Sequence, residues 1–406
     1  MKKIIVIDPC YDSSFGHHEV LNSELLTTLS AAHSTEIWTS KVLQRNSAVK
    51  SVFDDLGYFN SLDFHRPESN HKLADRMLKQ LNLYQENSQN VNLWIAHSFL
   101  PFHLAGFSRF LATQKAAVIF VSLMFDPADP IYDSNQSFSI QQRWLRGLIE
   151  LSIACNKQKH KLILGSASRS TITRYLPLLD RAKVVYPVLH PAVVGGGCII
   201  SNNNLNSEFT ILLHWGDLKY DKGREVVFVI IKALLSNYKI NLSPCKFIFH
   251  SFSHLTLATD ELDLLSQFKK KFGGNFIWLE GQISNLEMHT ILSSCDLALL
   301  AYNPISYSWR SSGIFWCYSS ARYAAGRTAA YIGYDNNWLQ KEAYVYGMNW
   351  YSVAIQDSTN LYMWPIFLQQ CIASLNRSTK AWSEYSKMIL GTSFADWISK
   401  NIIINS

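Results

Sequence analysis

Four consecutive residues, Arg310-Ser311-Ser312-Gly313, set a guanidinium, two hydroxyls and a glycine just ahead of a stretch with helical character. They follow the apolar run Asp296–Ala301, which reads as a strand, and the aromatic Tyr302. A strand end that feeds a helix start aims backbone N–H groups at one point, where the helix dipole favours negative charge. The arginine adds a fork that matches paired phosphate oxygens. Such a loop suits a diphosphate. Ser-Ser-Gly before a helix is also ordinary N-cap chemistry, so the reading depends on what other loops the fold brings alongside.

Three further loops have the same strand-to-helix setting. Gly216, Lys222 and Gly223 lie between the strand candidate Phe209–His214 and the helix candidate Glu225–Leu235, where glycines and lysines favour anion capture. Gly281 lies between a strand and the helix candidate Ser284–Leu292, and its backbone could edge a nucleobase. Phe15-Gly16-His17-His18 separates the strand candidate Lys3–Asp8 from the helix candidate Glu19–Ala32, with Gly16 permitting close backbone approach to a ligand. His97, at the end of Asn92–Ala96, can act as a base or hold a substrate hydroxyl, and Asp126 in FDPADP ends another strand. Each has a plainer alternative: a turn, a surface lysine, a satisfied core histidine, an aspartate that starts a turn. His250 and His254 have helical metal-pair spacing but follow a strand with no third ligand near in sequence, so no metal site is expected. Lys269-Lys270-Lys271 reads as a helix C-terminus complementing its dipole.

The elements that position these loops alternate along the chain. Short β-branched or aromatic runs occur at Lys3–Asp8, Glu36–Ser40, Asn92–Ala96, Ala117–Leu123, Lys161–Gly165 and Lys183–Pro187, with helix-like stretches between them. The pattern restarts at Phe209–His214 and continues through Lys246–His250, Asn275–Leu279, Asp296–Ala301 and Thr328–Gly333. This alternation predicts an α/β protein of two doubly wound, Rossmann-like domains. The first spans residues 1–195 and the second 208–406, joined by a linker at 196–207 whose polar run SNNNLNS lacks apolar periodicity. Helices over Leu361–Leu375 and Thr379–Lys400 close the chain, and one or both are candidates to return to the first domain. Ligands of open α/β sheets bind beyond the carboxyl ends of the strands, so two such domains facing across a cleft would bring all these loops to it.

Composition narrows the function classes. The 406 residues are 48% hydrophobic and 17% charged, enough for two cores, and the formal charge of +6 is spread over both halves, which argues against a nucleic-acid partner. Seven scattered cysteines without a C-x-x-C pair fit reduced thiols and a cytoplasmic protein. Asp8 and Pro9 end the first apolar run too early for a signal peptide, and no window approaches the ~20 apolar residues that span a bilayer. Peripheral contact with the inner membrane face is the remaining route to lipid. Phe138–Ile153 carries Trp144, Leu145, Leu148 and Ile149 at helical spacing beside Arg143 and Arg146, a pattern that suits either an anionic lipid surface or packing on the sheet.

In this order, the pieces resemble a retaining, nucleotide-sugar-dependent glycosyltransferase of the GT-B fold, specifically family 4, over nearly the whole chain. Gly216–Gly223 (GDLKYDKG) is similar to the family's glycine–lysine turn. Glu280–Ser284, Cys295–Pro304, Arg310–Gly313 and Ala324–Arg327 follow in family order. FGHH resembles the acceptor-side glycine loop, and Gly165–Pro177 with Val184–Ala192 the run into the linker. The resemblance implies that Lys222 and Arg310, with the Ser311, Ser312 and Gly313 amides, hold the donor diphosphate without a metal or other cofactor. Gly216, Gly281 and Tyr302 complete the donor side, while His97, Gly16, His17 and Asp126 face the acceptor or the transferred sugar. Two departures stand out. Asp217 replaces the arginine expected after the first glycine of the lysine turn, and the family's glutamate pair is missing, its second member falling near Cys317 or Ala321. The expected activity is hexosyl transfer to a glycan, lipid-linked or small-molecule acceptor in cell-envelope polysaccharide assembly. The rivals are a catalytically silent GT-B subunit that binds glycan or a partner transferase, and an epimerase or hydrolase of the same architecture.

Overall fold

The computed structural model describes residues 1–11, 17–40, 47–56, 67–84, 86–123, 137–166, 183–184, 209–236, 245–253, 257–305, 307, 312–376, 382, 390 and 392–403. The chain divides into two compact units, one built from Met1–Ala192 with Ser393–Ser406 and the other from Val193–Ser308 with Ser312–Thr392. The expected linker at 196–207 lies outside the described residues.

The first unit holds a parallel sheet with the spatial order β3-β2-β1-β4-β5-β6-β7. Its strands are β1 (Lys3–Asp8), β2 (Ser34–Ser40), β3 (Val49–Phe53), β4 (Leu93–His97), β5 (Val118–Ser122), β6 (Lys161–Gly165) and β7 (Lys183–Val184). Strand β1 is apolar at four successive positions, as a strand covered on both faces must be, and Ile4 to Ile7 are all buried. Helices α1 (His17–Ser30), α2 (Pro67–Leu83), α3 (Pro101–Leu111) and α4 (Ser137–Lys157) flank the strands. The core contains Trp38, Phe107 and Phe110 set edge-on to Trp94 at 5.5, 5.9 and 5.7 Å. Trp144 and Leu148 of α4 are buried in this core, leaving Ile149 and Ile153 as that helix's exposed large apolar side chains among the described residues.

In the second unit the order is β10-β9-β8-β11-β12-β13, again all parallel. Its strands are β8 (Phe209–His214), β9 (Cys245–Ser251), β10 (Phe276–Glu280), β11 (Leu297–Leu299), β12 (Ala330–Tyr334) and β13 (Asn349–Val353). Its helices are α5 (Arg224–Ser236), α6 (Thr259–Phe272), α7 (Asn285–Ser294), α8 (Gly313–Ala324), α9 (Trp338–Val345) and α10 (Met363–Asn376). Ser284, Ser312 and Asn337 cap α7, α8 and α9 by accepting from the N–H three residues on. Lys271, in the last turn of α6, donates to Leu234 O and Leu235 O at 2.7 and 3.0 Å and so closes the end of α5.

A single helix over Thr379–Lys400 does not form. Thr392 and Ser393 are non-helical, and Ser393 caps a new short helix, α11 (Phe394–Ile398), with its Oγ accepting from Asp396 N. This last segment packs within the first unit. Phe394 and Trp397 lie 6.5 and 6.1 Å from Phe120, Ala395 N donates to Glu24 Oε1, and Lys2 Nζ donates to Ile403 O at 2.8 Å.

Candidate functional site

In the second unit the strand ends converge through backbone contacts. Gly223 follows the 3-10 turn Tyr220–Lys222 with φ 81°, and a Cβ there would stand 2.5 Å from Ala301 O. Only glycine allows that approach. Asn303 N then donates to Asp221 O at 2.9 Å, so the lysine turn is fastened to the loop that leaves β11. Tyr302 and Tyr307 are buried with ring centroids 4.5 Å apart, and Trp338 N donates to Tyr307 O, anchoring that loop to the start of α9. Downstream comes the N-terminus of α8, where Ser312 Oγ accepts from Phe315 N at 3.4 Å and Gly313 is exposed. Lys222 is half-buried, and its charge is the second-largest influence on His214 after burial, the two holding His214 at about 3. This assembly presents a cation and a helix N-terminus, two components of an anion site.

Beside it, Gly216 and Gly281 both adopt left-handed backbone, with φ of 91° and 82°. One side chain joins them: His250 Nδ1 accepts from Gly216 N at 3.1 Å and its Nε2 donates to Gly281 O at 2.8 Å. Trp215 lies against the same ring at 4.5 Å. Ser251, next in β9, has a buried Oγ without a hydrogen-bond partner among the described residues.

The first unit gathers side chains instead. Asp8, at the end of β1, is fully buried and accepts from His18 Nδ1 at 2.8 Å, from Asn22 Nδ2 at 2.7 Å and from Cys10 N at 3.2 Å. Because Asn22 donates through its amide nitrogen, its Oδ1 is left to accept from His97 Nε2 at 3.1 Å, and His97 Nδ1 then accepts from Ser98 Oγ at 3.1 Å. Ser98 holds φ 59°, a left-handed backbone uncommon for a non-glycine residue, at the turn where β4 ends. Burial pushes the Asp8 carboxyl up, but His18 and His97 beside it outweigh burial and the net shift is downward. Burial pushes His97 down to about 4 against the opposing pull of Asp8, so its ring is neutral at pH 7. His18 has 15% of its side chain exposed against none for Asp8, and thus forms the accessible edge of the network. Candidate ligand atoms of Asp8, His18 and His97 lie within 4.8 Å of one another, close enough to surround a cation. Asp8 Oδ2 and His97 Nε2 are nonetheless satisfied by Asn22 without one.

No protein-family model matches the chain, and no curated protein sequence matches it. Solved structures do. An α,α-trehalose-phosphate synthase (UDP-forming) from Burkholderia xenovorans, in complex with glucose-6-phosphate, aligns with TM-score 0.59 and 11% identity over 100% of this chain and 99% of that one. Sucrose-phosphate synthase from Thermosynechococcus elongatus gives 0.57 at 13% identity, covering 98% and 94%. A Listeria monocytogenes protein described as a UDP-N-acetylglucosamine 2-epimerase gives 0.57 at 10% identity, covering 99% and 97%. The chain has the GT-B fold. At these identities the likeness is one of GT-B architecture, and the chemistry rests on the residues in place.

Of the residues expected at the site, Gly216, Gly281 and Tyr302 lie within three residues of strand ends of the second unit, Lys222 lies in the turn before α5, Ser312 and Gly313 open α8, and His97 ends β4 of the first unit. Gly16, Asp126, Arg310 and Ser311 lie outside the described residues, as does the side chain of His17. Asp217, in place of the expected arginine, pairs with Lys219 at 3.3 Å. Arg327 lies 3.7 Å from Asp296 and Arg322 3.3 Å from it, an ion cluster at the start of β11. Sequence reasoning gave Asp8 and Asn22 no site role, named His18 only within the FGHH loop, and weighed His250 only as half of a discounted metal pair. For the first three the signal was present: an aspartate that ends a buried strand, followed by a histidine and an asparagine four residues apart on α1. His250 had no local signal, since its partners lie 34 and 31 residues away.

Proposed function

We propose that this chain is a glycosyltransferase that moves a sugar from a nucleoside-diphosphate sugar to a hydroxyl acceptor. The observation that carries the reading is the packing of Gly223 on Ala301, which fastens the Lys222 turn to the loop leading into the capped N-terminus of α8. A departing diphosphate needs its charge neutralised, and a lysine, an arginine and a helix dipole do so without a metal. Lys222, Arg310 and the amides of Ser311 to Gly313 are the proposed diphosphate contacts, with Gly216, Gly281 and Tyr302 completing the donor side. The likeness to a UDP-forming synthase supports a nucleoside diphosphate as leaving group. In the first unit, the Asp8–His18–Asn22–His97 network offers hydrogen-bonding chemistry suited to hydroxyls. We assign it, with Gly16, His17 and Asp126, to the acceptor or the transferred sugar. The family 4 resemblance further implies retention of configuration and a role in cell-envelope polysaccharide assembly in the cytoplasm.

A second reading is a silent subunit that binds a nucleotide sugar without turning it over. Cys317 and Ala321, where the second glutamate of the family is expected, are both buried in α8, and burial pushes the Cys317 thiol up to about 12, so neither offers a carboxylate or an ionised substitute. Release of nucleoside diphosphate from a panel of sugar nucleotides, with a cell-envelope glycan extract as acceptor, separates the two. Turnover that persists in EDTA and falls at least tenfold in Lys222→Ala supports the transferase, since tenfold is about 1.4 kcal/mol of transition-state stabilisation. Binding without turnover supports the silent subunit, and a strict Mg²⁺ or Mn²⁺ requirement contradicts the metal-free mechanism.

A further inference from the structure

His250 stands at the end of β9, the strand between β8 and β10, and its ring links the loops that follow those two neighbours. The chemistry of the two bonds is restrictive. Gly216 contributes an N–H, so Nδ1 must carry a lone pair; Gly281 contributes a carbonyl oxygen, so Nε2 must carry the proton. The other neutral tautomer would set N–H against N–H and lone pair against lone pair, and the imidazolium would lose the Gly216 bond. A single protonation state therefore fixes the separation of two glycines that both hold left-handed backbone. The ring is also clasped laterally, by Trp215 at 4.5 Å and by the edge of Phe252 at 5.3 Å, and the residue is 1% exposed. Gly281 N donates to Ser251 O at 3.0 Å, so the same strand end grips that glycine twice.

We propose that His250 is a positioning residue for the nucleotide subsite, setting the spacing of the Gly216 and Gly281 loops so that the nucleoside of the donor is received between them. The inference rests on the donor-site reading above and adds to it a residue that reaches the ligand only through backbone.

Among the described residues, two other histidines serve as the same kind of strut. His103 accepts from Leu100 N and donates to Leu56 O, and His160 accepts from Ala117 N and donates to Leu111 O. His160 joins the end of α3 to the start of β5, at the opposite edge of its sheet from the strand carboxyl ends. It thus provides a control with the same bonding, away from the strand carboxyl ends. Among the described residues, the charged and titratable groups on the strand-end loops beside β9 are His214, Asp217, Lys219, Tyr220, Asp221 and Lys222 on the β8 side and Glu280 on the β10 side. Burial pushes His250 below its ordinary value, against the pull of its bond to Gly281 O, so the ring is neutral near pH 7 and protonates on acidification.

Equilibrium dialysis of UDP, GDP and ADP against the full chain tests this, with His250→Asn, His250→Gln and His160→Gln variants at pH 7.5. Asparagine retains an acceptor near the Nδ1 position and glutamine a donor near Nε2, so each keeps half of the strut. The expected result is at least tenfold weaker binding of the preferred nucleotide in both His250 variants and unchanged affinity in His160→Gln. Wild-type affinity in either His250 variant overturns the proposal. If the variants do not fold, the wild type decides by NMR: a bound nucleotide that leaves the Gly216 and Gly281 amide resonances unshifted overturns it. Failure of the wild type to bind any of the three overturns the donor-site reading as well, a result distinct from binding that ignores His250.

Discussion

In the first unit Asp8 and His97, at the carboxyl ends of β1 and β4, are joined with His18 and Asn22 of α1 in one hydrogen-bonded side-chain network. In the second unit the ends of β8, β10 and β11 carry glycines, a lysine turn and a capped helix start. One region holds its chemistry in side-chain protons and lone pairs and the other in backbone amides and a fixed dipole. The same doubly wound scaffold therefore offers two kinds of recognition. Exchangeable hydrogen bonds suit hydroxyl groups, and a preorganised positive end suits phosphate.

The comparison breaks most severely at Asp8. Asp8→Ala leaves Asn22 and His18 facing a buried void, and removing one member of a buried charged network costs about 3–5 kcal/mol. Denaturant unfolding should show that loss, with a smaller one for Asp8→Asn. Gly223→Ala is the counterpart in the second unit. Its Cβ meets Ala301 O and its backbone must stay left-handed, so a loss of about 1–3 kcal/mol is expected, accompanied by weaker nucleotide binding. A stability loss without any change in binding would separate that packing from the site.

Acidification sharpens the contrast. His97 and His103 are held at about 4 and His214 at about 3, chiefly by burial, while the unfolded chain protonates near the ordinary 6.5. A group whose folded value is depressed contributes its stability above the unfolded value and loses it as pH falls, so the melting temperature should drop progressively between pH 6.5 and about 4. Asp8, also depressed, ionises in the fold throughout that window and adds its own loss only below the ordinary carboxylate range. Melting curves across this range check the sign, and a flat profile contradicts it. A smaller effect is expected of His97→Ala. Turnover should fall while diphosphate affinity stays near wild type, because His97 belongs to the network of the first unit.

Much of this was legible in the chain itself. Lys3–Asp8, Lys161–Gly165 and Phe209–His214 are strands with the bounds their apolar runs predict, because a strand covered on both faces cannot hide its composition. Val49–Phe53 and Asn349–Val353 escaped notice, the first short and interrupted by Lys50 and Ser51, the second an edge strand that begins just after Gly347-Met348. The glycine and lysine loops of the second unit were readable because an anion site is written in local residue types. The Asp8 network was half readable. Asp8 and His97 end strands that pair beside each other in the sheet, but that adjacency is a property of strand order, which local pattern does not reveal. The His250 strut depends wholly on such adjacency.

Calorimetric titration of the full chain with UDP and with GDP, in buffer containing EDTA, bears most directly on the claim that the strand ends of the second unit form a diphosphate site. The account predicts saturable binding of one of them to the wild type, at least tenfold weaker in Lys222→Ala and in Arg310→Ala, with both variants retaining the wild-type unfolding transition. Absence of binding by the wild type, or equal affinity in both variants, would contradict it.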